Sequence, residues 1–225
     1  MWNIRSIRLS LALLAGLQSA AALAHEGHAP RGVVLEERVI VRPANGYNPP
    51  APRTLGGSFE MMDHTGRMVT DQTYRGAWML VFFGYTGCRE ACPTGLVNLT
   101  EALNAMGPDA DGIQPVFVDF SMEEPDVRGL AEFVGNFHPR LIGLTGTRAQ
   151  TFNIVRQYKV RREYGMMNYS GKETGPRINH TTYFYLVDPH GVTRSYFQHD
   201  LPADAIVSAM RLQLRQAQDR AEARP

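Results

Sequence analysis

Six apolar residues, Trp78-Met79-Leu80-Val81-Phe82-Phe83, run without interruption into Gly84-Tyr85-Thr86-Gly87, and the only two cysteines of the chain, Cys88 and Cys92, follow directly. An apolar run of this length, bounded by turn residues, predicts a strand buried on both faces. Pro93 and the stripe Leu96, Val97, Leu99, Leu103 and Met106 predict a helix beginning near Pro93, because a proline in the first turn gives up an N–H that has no intrahelical partner there. Strand, thiol-bearing loop and helix N-terminus therefore meet at one point. Unpaired backbone N–H groups and the positive end of the helix dipole favour thiolate over thiol, so the sulfurs are expected to serve as nucleophiles or soft metal ligands. Their four-residue offset sets them roughly one turn apart, about 5–6 Å between Cβ atoms if helical, close enough to share one ion or, with slight adjustment, to close a disulfide.

The 225 residues are 44% hydrophobic and 20% charged, a mixture that suits one globular domain with its own core. Residues 1–24 differ from the rest: Arg5 and Arg8 precede a charge-free stretch from Leu9 to Ala24, ending Ala22-Leu23-Ala24 before His25-Glu26. This is the pattern of a cleaved secretory signal, ahead of a mitochondrial presequence, which would be amphipathic, and of an uncleaved membrane anchor, which needs about 20 apolar residues. The mature chain is thus expected to be exported, periplasmic or in an equivalent compartment, with no stable membrane span. Cleavage after Ala24 removes two of the 23 basic residues and leaves 21 against 22 acidic ones, a formal charge of −1. That balance argues against nucleic-acid or anionic-membrane partners. In an oxidising compartment a lone cysteine pair is commonly a structural disulfide, yet a loop this short constrains the unfolded chain little and makes a poor staple.

Along the chain, 25–53 is rich in proline and reads as a flexible extension with one alternating apolar run from Val33 to Val41. Residues 59–69 read as a hairpin about Asp63-His64-Thr65-Gly66. After the strand at 78–83 and the helix from 93 to 106, Ile113 to Phe120 reads as a second strand. Pro125 to Phe137 and Arg148 to Tyr158 read as helices. Arg161 to Asn179 has no periodicity and is expected to be a long loop. Residues 182–187 and 192–197 form a hairpin about Asp188-Pro189-His190-Gly191, and a last helix starts near Ala203, with a charged tail at 218–225. Strand, helix, strand, helix, hairpin and closing helix is the thioredoxin-like order, preceded by an extra N-terminal β-hairpin. This α/β domain is expected over 54–217, with the cysteines at the carboxyl end of a strand.

Two thiolates make a dithiol; a nearby imidazole makes a metal site. Of the seven histidines, His180 stands where the long loop joins the strand at 182–187, and in a thioredoxin-like sheet the loop entering that strand lies beside the cysteine turn. His25 and His28 stand at or near the mature N-terminus, where a terminal amine plus imidazole can hold a divalent metal, but histidines in a floppy arm are more often merely solvated. Met166 and Met167 are soft donors in the loop before His180, and Met61 reads as core filling. His64 and His138 read as structural or exposed, His190 and His199 as surface residues.

Together these residues resemble the Sco/SenC copper proteins of cytochrome oxidase assembly over roughly residues 54–215. The likeness rests on Gly84-Tyr85-Thr86-x-Cys88-x-x-x-Cys92-Pro93, Arg75-Gly76-x-Trp78, the run Phe137-His138-Pro139-Arg140-Leu141-Ile142-Gly143-Leu144-Thr145-Gly146, and His180 followed by Tyr185-Leu186-Val187-Asp188-Pro189-x-Gly191. The resemblance implies a thioredoxin-like fold, copper held by Cys88, Cys92 and His180, and an acidic neighbour, Asp119. It also implies a partner: cytochrome c oxidase subunit II, which carries the binuclear copper site, or another copper chaperone. The chain departs from the family pattern with Arg89-Glu90 where members often have Pro-Asp, and with Asp119-Phe120-Ser121-Met122 where they have Asp-Pro-Glu-Arg. Soft thiolates select copper(I), although zinc also accepts two cysteines and a histidine. The competing expectations are a thiol-disulfide oxidoreductase, in which Cys88 and Cys92 form a redox-active pair, and a redox or copper sensor. The Cys-x-x-x-Cys spacing departs from the Cys-x-x-Cys of ordinary thioredoxin-like enzymes.

Overall fold

The computed structural model describes residues 33–35, 38–39, 51–121, 124–165 and 177–223. The expected signal segment, His25, His28, Met166 and Met167 lie outside them. The strands are β1 (Val33–Leu35), β2 (Arg38–Val39), β3 (Glu60–Asp63), β4 (Met68–Thr70), β5 (Trp78–Gly84), β6 (Ile113–Asp119), β7 (Ile142–Thr145), β8 (Arg162–Gly165), β9 (Arg177–His180), β10 (Tyr183–Val187) and β11 (Thr193–Gln198). The helices are α1 (Ala91–Met106), α2 (Val127–Val134), α3 (Arg148–Gln157) and α4 (Ala203–Glu222).

Nine of these strands form one sheet in the order β2-β1-β11-β10-β5-β6-β7-β3-β4, and β8 pairs with β9 in a separate two-stranded ladder. At its centre β5, β6 and β7 run parallel, while β10 lies antiparallel to β5. This is the thioredoxin-like arrangement, with the predicted hairpin β3–β4 added along β7. The central strand is buried throughout, as its composition requires. Side chains alternate across a strand, so Trp78, Leu80 and Phe82 enter a core beneath α1 and α4, and Met79, Val81 and Phe83 enter a second core with Ile154, Val155 and Tyr158 around α3. Both faces of the parallel strands are thereby covered.

Helix starts follow local chemistry. The Asp126 carboxylate accepts the Gly129 N–H at 2.9 Å to open α2. Thr147 and Gln150 cap α3 reciprocally, the Thr147 N–H donating to Gln150 Oε1 at 2.9 Å and the Gln150 N–H to Thr147 Oγ1. Four expectations change. The helix after the cysteines starts at Ala91 rather than Pro93, which brings Cys92 into its first turn. The run at 33–41 forms two short strands, the first paired with β11. The segment expected to be a long loop contains β8 and β9, and α4 continues through Glu222 into the expected tail. Among the described residues no helix is long and apolar enough to cross a membrane.

Candidate metal centre

The cysteine turn is built around sulfur. Glu90 occupies the N-cap of α1 and makes no side-chain cap. Cys88 Sγ caps the helix in its place, accepting the Cys92 N–H at 3.4 Å, with the backbone of Glu90 and Ala91 also directed at it. The Cys88 N–H in turn donates to the Tyr85 carbonyl at 3.0 Å, which closes the loop. A helix N-terminus wants an anion, and here the anion is a thiolate. Hydrogen bonding from the Cys92 thiol is the largest influence on Cys88; together with the backbone N–H groups it outweighs partial burial and draws this sulfur down to about 5.

Cys92 shows the opposite behaviour. Its proton is held by the Cys88 sulfur, burial disfavours its ionised form, and the charges of Cys88 and Asp119 oppose a second anion, so its thiol is pushed far up. The pair thus shares one proton between a half-buried thiolate and a fully buried thiol, and both cysteines are free. Gly84 makes the burial possible. A Cβ at Gly84 would stand 2.7 Å from Cys92 Sγ and 2.6 Å from Phe117, so only glycine lets the sulfur tuck against the end of β5. Asp119 lies directly opposite Gly84 on β6, buried, its carboxylate accepting the Ser121 N–H at 3.0 Å.

His180 ends β9 and meets the same loop from the side. Its ring packs edge-on against Phe120, centroids 4.8 Å apart, and against Tyr85 at 6.4 Å. Nδ1 lies 3.0 Å from the Thr181 carbonyl oxygen. A carbonyl only accepts, so Nδ1 carries the proton and Nε2 keeps a lone pair. Burial holds the imidazole below its ordinary value, the Thr181 bond working against it and His199 with it, so the ring is neutral as a metal ligand must be. The structure therefore brings Cys88 and Cys92 together and sets His180 on Tyr85 and Phe120. Among the described residues no three His, Cys, Asp or Glu side chains already close on one ion.

The remaining candidates divide cleanly. His64 Nδ1 accepts the Gly143 N–H at 3.1 Å and His138 Nδ1 the Arg140 N–H at 3.2 Å, both structural roles. Met61 is core, as expected, and His190 is exposed. His199, expected on the surface, is instead half-buried against Phe82, with the charge of Cys88 felt at its ring. Strand alternation could have found it: Phe197 points into the core beneath α1, and His199 lies two residues further on the same face.

A parallel-strand end, a sulfur-capped helix and a polarised pair of thiols define a thioredoxin-like dithiol protein. More specifically, the chain belongs to the SCO1/SenC family, whose model matches residues 48–215. It is 33% identical over 157 residues to the mitochondrial SCO2 homolog of Mus musculus, covering 69% of this chain and 60% of that protein. An SCO2-like protein of Rickettsia prowazekii is 33% identical over 155 residues, 68% of this chain and 74% of its own. The match thus spans less than two thirds of the mouse relative's length. Among solved structures, copper-bound ScoI of Arabidopsis thaliana superposes with a TM-score of 0.65 at 27% identity, covering 72% of this chain and 99% of that one. Copper-bound ScoI of Bradyrhizobium japonicum gives 0.61 at 32% identity, over 70% and 98%.

Proposed function

We propose that this chain is an exported copper carrier of cytochrome c oxidase assembly, which holds copper through Cys88, Cys92 and His180 and passes it to the binuclear copper site of oxidase subunit II or to another copper chaperone. The observation that carries this reading is the Cys88 sulfur turned onto the Cys92 N–H at the start of α1, with the His180 imidazole packed against Tyr85 of the same loop. Three similar solved structures above 25% identity are copper-bound. A Cys₂His set of soft donors selects copper(I) in three-coordination and leaves it open to attack by an incoming ligand, so copper moves by ligand exchange rather than through free solution. Residues 1–24 serve as the cleaved export signal.

Copper arrives at Cys88 first, because that sulfur is half-buried and ionised. Cys92 must then lose its proton, which the cation's charge makes feasible, since a coordinating thiol is deprotonated outright. His180 would complete the set, its Nε2 supplying the nitrogen donor. Copper(I) affinity measured by competition with a chelator under reducing conditions tests the reading. His180→Ala should abolish tight binding at one copper per chain, while thiol-disulfide exchange by the cysteines survives; unchanged affinity removes His180 from the set.

The polarised pair also favours a second reading. As a dithiol, Cys88 thiolate attacks a target disulfide and releases one target thiolate. Cys92 then loses its proton and attacks Cys88 in the mixed disulfide, leaving a Cys88–Cys92 disulfide and a fully reduced target.

A further inference from the structure

His199 is placed more firmly than a surface residue needs to be. Its N–H donates to the Thr182 carbonyl at 3.0 Å and its own carbonyl accepts Asn98 Nδ2 at 3.2 Å, so the backbone is clamped between the start of β10 and helix α1. Its ring lies parallel to Phe82, 12° between planes with centroids 6.1 Å apart. The side chain crosses α1 at Gly95, where a Cβ would stand 3.1 Å from His199 Cβ and 3.3 Å from Cδ2. Gly95 is three residues past Cys92, hence on the same helix face. Having come this far in, Nδ1 is buried without a hydrogen-bond partner among the described residues. A buried imidazole nitrogen left unpaired is costly, and the Thr182 carbonyl is the one backbone group that acts on the ring among the described residues.

We propose that His199 is a second imidazole donor of the cysteine site, engaged when the site holds copper(II). This deepens the copper reading above and rests on it. Copper(I) is satisfied by two thiolates and one imidazole; copper(II) favours a four-coordinate tetragonal set with more nitrogen. His180 packs against Phe120, which follows β6, and His199 against Phe82 of β5. The His199 ring lies over Gly95, on the face of α1 that carries Cys92 one turn earlier. Binding draws the thiol loop and both rings together, with His199 in the fourth position. Gly95 leaves that ring the space over α1 that a larger residue would fill.

The test counts imidazoles. The full mature chain is loaded with one equivalent of copper(II), frozen, and read by pulsed electron paramagnetic resonance. Two inequivalent imidazole nitrogens are expected in the native protein and one each in His199→Gln and His180→Ala. Cobalt(II), which does not oxidise thiols, provides an independent count through far-shifted imidazole N–H proton resonances. His199→Gln should also weaken copper(II) binding by about tenfold or more. A single imidazole in the native protein by either metal, lost in His180→Ala and kept in His199→Gln, overturns the role of His199 and leaves the copper reading standing. Signals indifferent to His180→Ala overturn the copper reading itself. The native count decides the matter even where His199→Gln fails to fold.

Discussion

The two ends of the central sheet handle buried polar groups in opposite ways. At the end where β5 begins, two aspartates each close a turn. Asp63 accepts the N–H groups of Thr65 and Arg67 at 2.8 and 3.1 Å and the Thr65 hydroxyl at 2.6 Å. Asp188 accepts the N–H groups of His190 and Val192 at 2.9 Å each, and both Nε and Nη2 of Arg194 at 2.8 and 2.6 Å. Their lone pairs are taken, so nothing remains to bind a ligand. At the other end Cys88 carries charge without a counter-cation within the pair, Cys92 keeps its proton on that sulfur, and His199 Nδ1 has no partner among the described residues. One end is saturated and rigidifies the turns; the other is left short of partners, which is where a cation can be gained.

The largest expected effect tests the saturated end. Asp188→Ala takes away the carboxylate that the half-buried Arg194 guanidinium and the N–H groups of His190 and Val192 donate to, which costs about 3–5 kcal/mol and lowers Tm by ~10 °C for a domain of this size. The alkylation behaviour of the cysteines should be unaffected, since the substitution lies at the opposite end of β5. Thermal melts followed by circular dichroism measure the first, and a shift of only one or two degrees would break the contrast.

A second measurement bears on the open end. Iodoacetamide reacts with thiolate, so its rate on the reduced chain should rise as pH climbs through about 5 and then level off, whereas an ordinary cysteine rises near 8.5. That midpoint belongs to the pair, which releases its first proton there. Mass mapping should locate the label on Cys88. A midpoint near 8.5 would mean that the sulfur cap on α1 does not form.

What is legible in the sequence separates along similar lines. The apolar run at β5, the proline near the start of α1 and the Asp188 turn are local signals; β5 and the turn stand where their residues predict, and α1 starts two residues before its proline. Strand β7 is not local: four residues, one of them Gly143, become a strand because Leu130 and Val134 of α2 press on that glycine, where a Cβ would stand 2.7 Å from Leu130. The ladder of β8 and β9 joins residues that have no periodicity of their own, so only pairing reveals it. In the candidate site, the cysteines and His180 are readable from spacing and resemblance. The division of labour between the two sulfurs is not, because it depends on which one points at the open N–H groups of α1 and which is sealed behind Gly84. His199 reads as a surface residue from sequence because the apolar alternation of its strand is clear only to 197, while its backbone bond to Thr182 carries that alternation two residues further.

The smallest expected effect returns to Asp63 and sharpens the meaning of saturation. Burial alone would raise its carboxyl, but hydrogen bonds from Thr65 and Arg67 outweigh it and hold the group at about 2, below the usual value of 3.8. A carboxylate depressed in the folded state contributes stability that is fully present above its unfolded pKa and is lost as pH falls through the folded one. For Asp63 the window therefore runs from about pH 4 down to about pH 2. Arg67 is largely solvent-exposed, which screens its share, so the contribution is on the order of 1–2 kcal/mol. Urea titrations at pH 7 and across that window should show Asp63→Asn less stable than the native chain at neutral pH, with the difference shrinking as Asp63 becomes protonated. A gap that stays constant with pH would assign the loss to hydrogen-bond geometry, which asparagine disturbs at any pH, and would take the charge of Asp63 out of the account of why that end of the sheet is closed.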